Sequence, residues 1–169
     1  MRTVVLFSVA AFVALAIQTS LMHLLGLVTL VPDLMLVLAV NLGLRHHNLV
    51  SAILAFALGY ATDAFSGSRI GLNTFLVMIV FLLSYETSRH LWVNNDAVGS
   101  IAVFLAVVFK DLGTLLLTGA MGDLRSHAAR ILAQVFAQAL LTACLTPVVF
   151  TLLRRGGRIL GLPAMSQRE

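Results

Sequence analysis

Charged residues are scarce in this sequence and make up 11% of its 169 positions, whereas a soluble domain carries about 25%. Hydrophobic residues make up 60% of the chain, and the mean hydropathy is +1.01. A chain of this composition cannot cover its surface with polar groups, so lipid has to form part of its solvent. The single cysteine, Cys144, excludes a disulfide framework. We therefore predict an integral membrane protein whose surface contacts lipid.

Other features are missing as well, and their absence argues against whole classes of function. The sequence contains no His-Glu-x-x-His zinc motif, no nucleophile-elbow serine and no phosphate-binding loop. The adjacent His46 and His47 make a poor metal site because no further ligands accompany them. The isoelectric point is near 10.2, but the basic residues form no stripe and no aromatic residues are interleaved with them. We predict no enzyme activity, no cofactor, no metal and no nucleic-acid partner.

Six apolar runs, separated by short polar turns, predict six membrane helices. The runs cover residues 3–24, 31–44, 49–64, 70–88, 97–119 and 128–153. Turn-forming residues separate them, including a stretch from Gly119 to Ser126. The expected fold class is all-α, a polytopic membrane helical bundle of six transmembrane helices. Residues 1–155 form a single transmembrane domain in this interpretation, and residues 156–169 form a short basic cytoplasmic tail.

The second and third runs are short for membrane spans. At 1.5 Å per residue they reach only about 20–24 Å, whereas the hydrocarbon core is about 30 Å thick. Two arrangements stay open at this point. Residues before Pro32 extend the second span through a kink, or residues 31–64 form a thin hairpin that dents the bilayer.

The distribution of arginines predicts the orientation of the chain. With the N-terminus inside, the cytoplasmic ends of six spans carry seven arginines: Arg2, Arg45, Arg89, Arg154, Arg155, Arg158 and Arg168. The outer ends carry three: Arg69, Arg125 and Arg130. Because basic residues concentrate on the cytoplasmic side of membrane proteins, we expect both termini in the cytoplasm.

Several polar side chains fall within the apolar runs and predict an intramembrane polar cluster: Gln18, Lys110, Asp111 and Gln134. Lys110 lies about 20 Å from the cytoplasmic end of the fifth run, where an unpaired ammonium is costly. Its neighbour Asp111 points about 100° away on a helix, so Asp33 and Asp63 are the favoured partners. Two interpretations stay open. The cluster fixes the register of the helices, or it lines a cavity for a ligand or receives the membrane helix of a partner.

Polar residues also recur at helical spacing along the sixth run. They form one stripe: Arg130, Gln134, Gln138 and Thr142. The stripe predicts interhelical hydrogen bonds that are worth about 0.6 kcal/mol each on average.

A motif around the second, third and fourth runs is the most specific feature of the sequence. Pro32-Asp33 opens the second run, and a basic turn Arg45-His46-His47 follows it. A Gly-x-x-x-Asp-x-x-x-Gly pattern and a Gly-Leu-Asn triplet come next. The matching positions are Pro32, Asp33, Gly59, Asp63, Gly67, Gly71 and Asn73. Glycines at 67 and 71 permit a tight reversal between two spans.

This order of residues resembles the MreD family of bacterial rod-shape proteins. The resemblance covers residues 1–155 and is specific over residues 32–73. It implies a non-enzymatic scaffold in the bacterial inner membrane that binds MreC, a protein with a single membrane span. It further implies that the scaffold helps to couple cytoplasmic MreB to the wall synthases, RodA and its partner transpeptidase. The seven motif positions would then define the architecture.

An alternative from a different functional class has the same predicted architecture. The substrate-capturing subunits of energy-coupling-factor transporters are similar six-span bundles that bind small molecules on their outer side. The predicted orientation places Gln18, Lys110, Asp111 and Gln134 in the outer half of the membrane or at its rim. This placement, together with the small residues Ala10 and Ala14 on the first run, is compatible with that alternative. One Trp and two Tyr, however, offer little stacking surface for a vitamin ring. The scaffold is therefore the favoured interpretation.

Overall fold

The computed structural model describes residues 2–25, 31–45, 48–66, 71–90, 96–118 and 121–159, and all regular secondary structure within these ranges is α-helical. Six helices follow one another: α1 (Arg2–Leu25), α2 (Leu34–Arg45), α3 (Leu49–Ser66), α4 (Leu72–His90), α5 (Asp96–Thr118) and α6 (Met121–Ile159). No strand occurs in the described part of the chain. The predicted all-α class is confirmed, and each of the six apolar runs corresponds to one helix.

Within the described residues, three of the six helices are long and apolar enough to cross a membrane by length and composition. They are the segments Thr3–Ser20 of α1, Ala97–Leu117 of α5 and Ala129–Arg158 of α6. Two further apolar helices are shorter, at Leu34–Arg45 and Leu49–Phe65. The count of six full spans therefore stays a prediction, whereas the described part of the chain forms six helices.

The shortest helix, α2, lies at the centre of the bundle. It has 12 residues and is about 18 Å long. Every residue from Leu34 to Leu44 is buried, and α2 contacts each of the other five helices. A helix that is apolar all round is stable only when other elements surround it. Here protein surrounds α2, so its short length is not matched directly against lipid.

One of the two arrangements predicted for the second run is contradicted by the start of α2. A kinked extension through Pro32 is wrong, because residues 31–33 are not helical and α2 begins at Leu34. The thin hairpin over residues 31–64 that dents the bilayer stays a prediction; its two helices, α2 and α3, are in contact, and α2 is enclosed by protein. Of these two short helices, α3 is the one that presents large apolar side chains outward, among them Ile53 and Phe56, whose surfaces are 60% and 53% exposed.

The last helix is longer than predicted. The expected turn from Gly119 to Ser126 is wrong from Met121 onward, because α6 begins there and continues for 39 residues. Gly122 lies within this part of α6, and a glycine inside a helix costs only about 1 kcal/mol relative to alanine. Neighbouring residues that favour helix, such as Leu124 and Ala128, offset this cost. At its other end α6 reaches Ile159, so the first residues of the predicted tail are helical. Residues 160–169 lie outside the described ranges.

Candidate functional site

Asp33 caps the N-terminus of α2 deep inside the bundle. Its Oδ1 accepts a hydrogen bond from the N–H of Leu36 at 3.0 Å, and its carbonyl oxygen accepts one from the N–H of Val37 at 3.2 Å. Only 7% of the Asp33 surface is exposed. The first N–H groups of a helix have no partners within the helix, and in a membrane interior no water supplies them. Asp33 therefore provides what the start of a buried helix requires.

The second carboxylate oxygen of Asp33 is paired with a cation. The Nζ of Lys110, on α5, forms a hydrogen-bonded ion pair with Asp33 Oδ2, and both side chains are buried. Lys110 lies 14 residues after the first residue of α5, about 21 Å along the helix. Of the two carboxylates that the sequence favoured as its partner, the structure places Asp33 against it. At this depth the ammonium of Lys110 and the carboxylate of Asp33 each offset the cost of burying the other's charge.

Two more side chains, from α1 and α6, complete this site. Gln18 Nε2 donates a hydrogen bond to the carbonyl oxygen of Pro32 at 2.8 Å. The N–H of Asp33 donates to Thr142 Oγ1 at 3.3 Å, and the Thr142 hydroxyl donates to the carbonyl oxygen of Gln138 at 2.8 Å. We call Gln18, Pro32, Asp33, Lys110 and Thr142 the α2 cap cluster. It ties α1, α5 and α6 to the start of the central helix.

The α2 cap cluster has the bonding pattern of a structural site that connects helices. Both oxygens of the Asp33 carboxylate are engaged, one by the backbone of α2 and one by Lys110. The positive end of the α2 dipole faces the same carboxylate, which adds to its stabilisation. Among the residues that the structure describes, no three His, Cys, Asp or Glu side chains come together in a metal-binding group. The arrangement holds a buried helix end in place.

Asp63 caps a different helix and does not pair with Lys110. Its Oδ2 accepts hydrogen bonds from the N–H of Gly71 at 3.0 Å, the N–H of Thr74 at 2.9 Å and the Thr74 hydroxyl at 2.6 Å. Its Oδ1 accepts one from the N–H of Asn73 at 3.0 Å. The carboxylate at the end of α3 thus satisfies the first turn of α4, and it is 1% exposed.

The glycines of the motif allow α3 and α4 to meet in this way. Gly71 has a φ of +96°, which residues with a Cβ adopt only at a cost, and its carbonyl oxygen accepts the N–H of Phe75 at 2.9 Å. A Cβ built on Gly59 would lie 2.7 Å from the Cα of Thr74, so a side chain there would separate the two helices. Gly67, His46 and His47 lie outside the described residues. The motif positions that are described surround the two capping carboxylates and the close contact between α3 and α4.

Two predicted members of the polar cluster take no part in the hydrogen bonds that define the α2 cap cluster. Asp111 is half-buried, and its Oδ2 is enclosed without a hydrogen-bond partner among the residues that the structure describes. Gln134 is half-buried on α6, eight residues before Thr142 and therefore about 12 Å along the helix from it. Thr142, another member of the polar stripe on α6, supplies the contact to Asp33 instead.

Two features of the site were not recognised in the sequence. The capping of α4 by Asp63 was missed, although a carboxylate eight residues before Gly71 and Asn-Thr in the following turn are the residues that such a cap uses. The central position of α2 was missed too, although an apolar run too short to span and opened by Pro-Asp was its signal.

Comparisons with known proteins give one finding. A family model described as "rod shape-determining protein MreD" matches residues 1–156 of the chain, which includes all six helices except the last three residues of α6. No curated protein and no solved structure matches the chain at the threshold applied.

Proposed function

The chain belongs to the MreD family of rod shape-determining membrane proteins, and on that premise we propose that it is a non-enzymatic scaffold of the bacterial cell-elongation machinery. In this role it binds an MreC-like protein with a single membrane span. Through that partner it helps to couple cytoplasmic MreB to RodA and its partner transpeptidase. The observation that carries the proposal is the family match over residues 1–156.

The arrangement of polar and apolar side chains supports a scaffold. The buried charged groups Asp33, Lys110 and Asp63 are engaged in an ion pair and in two helix caps. Large apolar side chains face outward, among them Phe12, Ile101 and Leu105, which are 75%, 61% and 60% exposed. A partner's membrane helix would pack on such outward faces without disturbing the α2 cap cluster. The transporter alternative gains no support from the family match.

The architecture-defining role of the motif is part of this proposal. Asp33 and Asp63 hold the starts of α2 and α4, and Gly59 lets α3 and α4 approach. We expect substitutions at these positions to lower the amount of folded protein and, in parallel, the rod shape of the cells. A variant that accumulates normally but fails to maintain shape would instead identify a partner contact at that position.

Partner binding is tested by gentle affinity purification from the native membrane, followed by mass spectrometry of proteins and small molecules together. We expect recovery of a single-span protein with a periplasmic part, without a stoichiometric small molecule. Recovery of paired ATPases, a coupling subunit or a bound vitamin would contradict the scaffold. As a control, the purification is repeated in a detergent that separates membrane helices. A partner that contacts the chain through its membrane helix should then be lost.

We further propose that the chain lies in the inner membrane with both termini in the cytoplasm, which the excess of arginines at those helix ends supports. The test uses a Cys144→Ala background with a cysteine at either end of α3, Asn48→Cys or Phe65→Cys, since both positions are exposed. A membrane-impermeant maleimide added to spheroplasts should label only Phe65→Cys. Asn48→Cys should react only after the membrane is permeabilised. The reverse labelling pattern would show that both termini lie outside the cytoplasm.

A further inference from the structure

An apolar groove runs along α1 where this helix meets α2 and α6. Its cavity is about 220 Å³, and its wall on α1 is formed by Leu6, Ala10, Val13 and Ile17. Leu38 of α2 and Leu153 of α6 form the opposite side. Ala10 is small and Val13 is 48% exposed, so the groove opens toward the lipid rather than into the bundle.

The length of the groove matches one leaflet of a bilayer. From Leu6 to Ile17 the α1 helix advances 11 residues, or about 16 Å. Half of a hydrocarbon core is about 15 Å thick. Leu6 stands four residues after the start of α1, so the groove occupies the leaflet that contains the N-terminus. With the orientation proposed above, this is the cytoplasmic leaflet.

The groove itself is apolar, and arginines stand close in sequence to its lining residues at the end where Leu6 of α1 approaches Gly156 of α6. Leu152 lines the groove on α6, and the exposed Arg155 follows it by three residues, on the adjoining face of the helix. In the sequence, Arg2 precedes Leu6 by four residues, one helical turn. Arginines next to the cytoplasmic leaflet attract anionic lipids, and the guanidinium geometry suits phosphate oxygens.

We propose that this α1–α6 groove binds one anionic phospholipid of the cytoplasmic leaflet. One acyl chain lies along Ala10 and Val13, and the phosphate of the headgroup lies at Arg155. The bound lipid fills the gap between α1 and the rest of the bundle. The leaflet assignment rests on the proposed orientation, whereas the binding itself does not depend on MreC.

The experiment is native mass spectrometry of the full chain in mild detergent. Phosphatidylglycerol and phosphatidylcholine with identical acyl chains are added as the two probes. We expect retention of one phosphatidylglycerol molecule in preference to phosphatidylcholine. Arg155→Gln should reduce that preference about five-fold, since one basic residue near an anionic surface has an effect of that size. Ala10→Phe should abolish retention of both lipids, because its ring fills the groove.

Matched controls separate the site from general effects. Arg158→Gln removes the same charge from the side of α6 turned away from the groove, and Ala57→Phe adds the same ring to an exposed position of α3. Both should retain the lipid like the unaltered chain, and thermal stability shows that Ala10→Phe is folded. Equal retention of the two phospholipids, or equal losses in Arg155→Gln and Arg158→Gln, would overturn the proposal. So would loss of the lipid when a co-expressed single-span protein crosslinks to Val13, since a partner would then occupy the groove.

Discussion

Asp33 and Lys110 are 77 residues apart in the sequence and form a buried ion pair that joins the start of α2 to α5. The same carboxylate caps α2 through the N–H of Leu36. One side chain therefore fixes both where the central helix begins and which helix packs against that end. Because residues of α1 and α6 also bond to Pro32 and Asp33, the position of the pair depends on the whole bundle.

Removal of the cation alone should be costly. Lys110→Met leaves the Asp33 carboxylate buried and uncompensated, and we expect the free energy of unfolding to fall by about 3–5 kcal/mol. The double variant Lys110→Met with Asp33→Asn has no buried charge, and Asn caps a helix about as well as Asp. We expect it to lie within about 1–2 kcal/mol of the unaltered chain. Unfolding in mixed micelles, followed by circular dichroism during a titration with SDS, measures both values.

A charge exchange with the other carboxylate is the control for this pairing. The sequence alone left Asp63 open as a partner, but its oxygens bond to the first turn of α4. Lys110→Asp combined with Asp63→Lys should therefore give no rescue and should lose the α4 cap as well. Recovery of stability in that exchange would show that Lys110 pairs with Asp63 and not with Asp33.

The cap on α4 predicts a local effect at residue 63. Asp63→Ala removes the acceptor of the N–H groups of Gly71, Asn73 and Thr74, and we expect a loss of about 2–3 kcal/mol. Asp63→Asn keeps one carbonyl oxygen and should lose about half as much. Amide hydrogen exchange should accelerate at Asn73 and Thr74, whereas the amide of Leu36 should be unaffected. Uniform acceleration across α2 and α4 would mean that Asp63 supports the whole bundle instead.

The apolar runs predicted the helices well, whereas they could not reveal what surrounds each helix. Lipid and protein interiors are both apolar, so α2 carries the same kind of residues whether lipid or other helices enclose it. Its short length was the available sign. The pairing of Lys110 followed from the cost of a bare charge in a membrane, but both carboxylates satisfied that rule. Both carboxylates cap a helix, and only the contacts between helices show that Asp33 is the one that also pairs with Lys110.

Substitutions of Gly59 and Gly71 should show which glycine is required for the close approach of two helices and which for its backbone conformation. Gly59→Ala places a Cβ against the backbone of Thr74, and such overpacking costs about 1–3 kcal/mol. Gly71→Ala meets no atom within 4 Å, yet its φ of +96° makes alanine unfavourable by about 1–2 kcal/mol. Gly71→Asn should be milder than Gly71→Ala, because Asn tolerates positive φ. Thermal unfolding of the three variants checks the order, and equal costs for Asn and Ala at position 71 would contradict it.

Because α2 is enclosed by protein, replacing a leucine of α2 by alanine should lower the free energy of unfolding much more than the same replacement at a lipid-facing leucine. Leu42 of α2 is 0% exposed, whereas Leu105 of α5 is 60% exposed. Leucine gains little by moving from lipid to a protein interior, so the cost of Leu42→Ala is mainly that of the cavity. A cavity of roughly 80 Å³ at about 24 cal/mol per Å³ corresponds to about 2 kcal/mol. Leu105→Ala faces lipid, which fills the space, and should change the free energy of unfolding by less than about 0.5 kcal/mol. SDS titration of both variants measures the difference, and similar values would mean that lipid reaches α2.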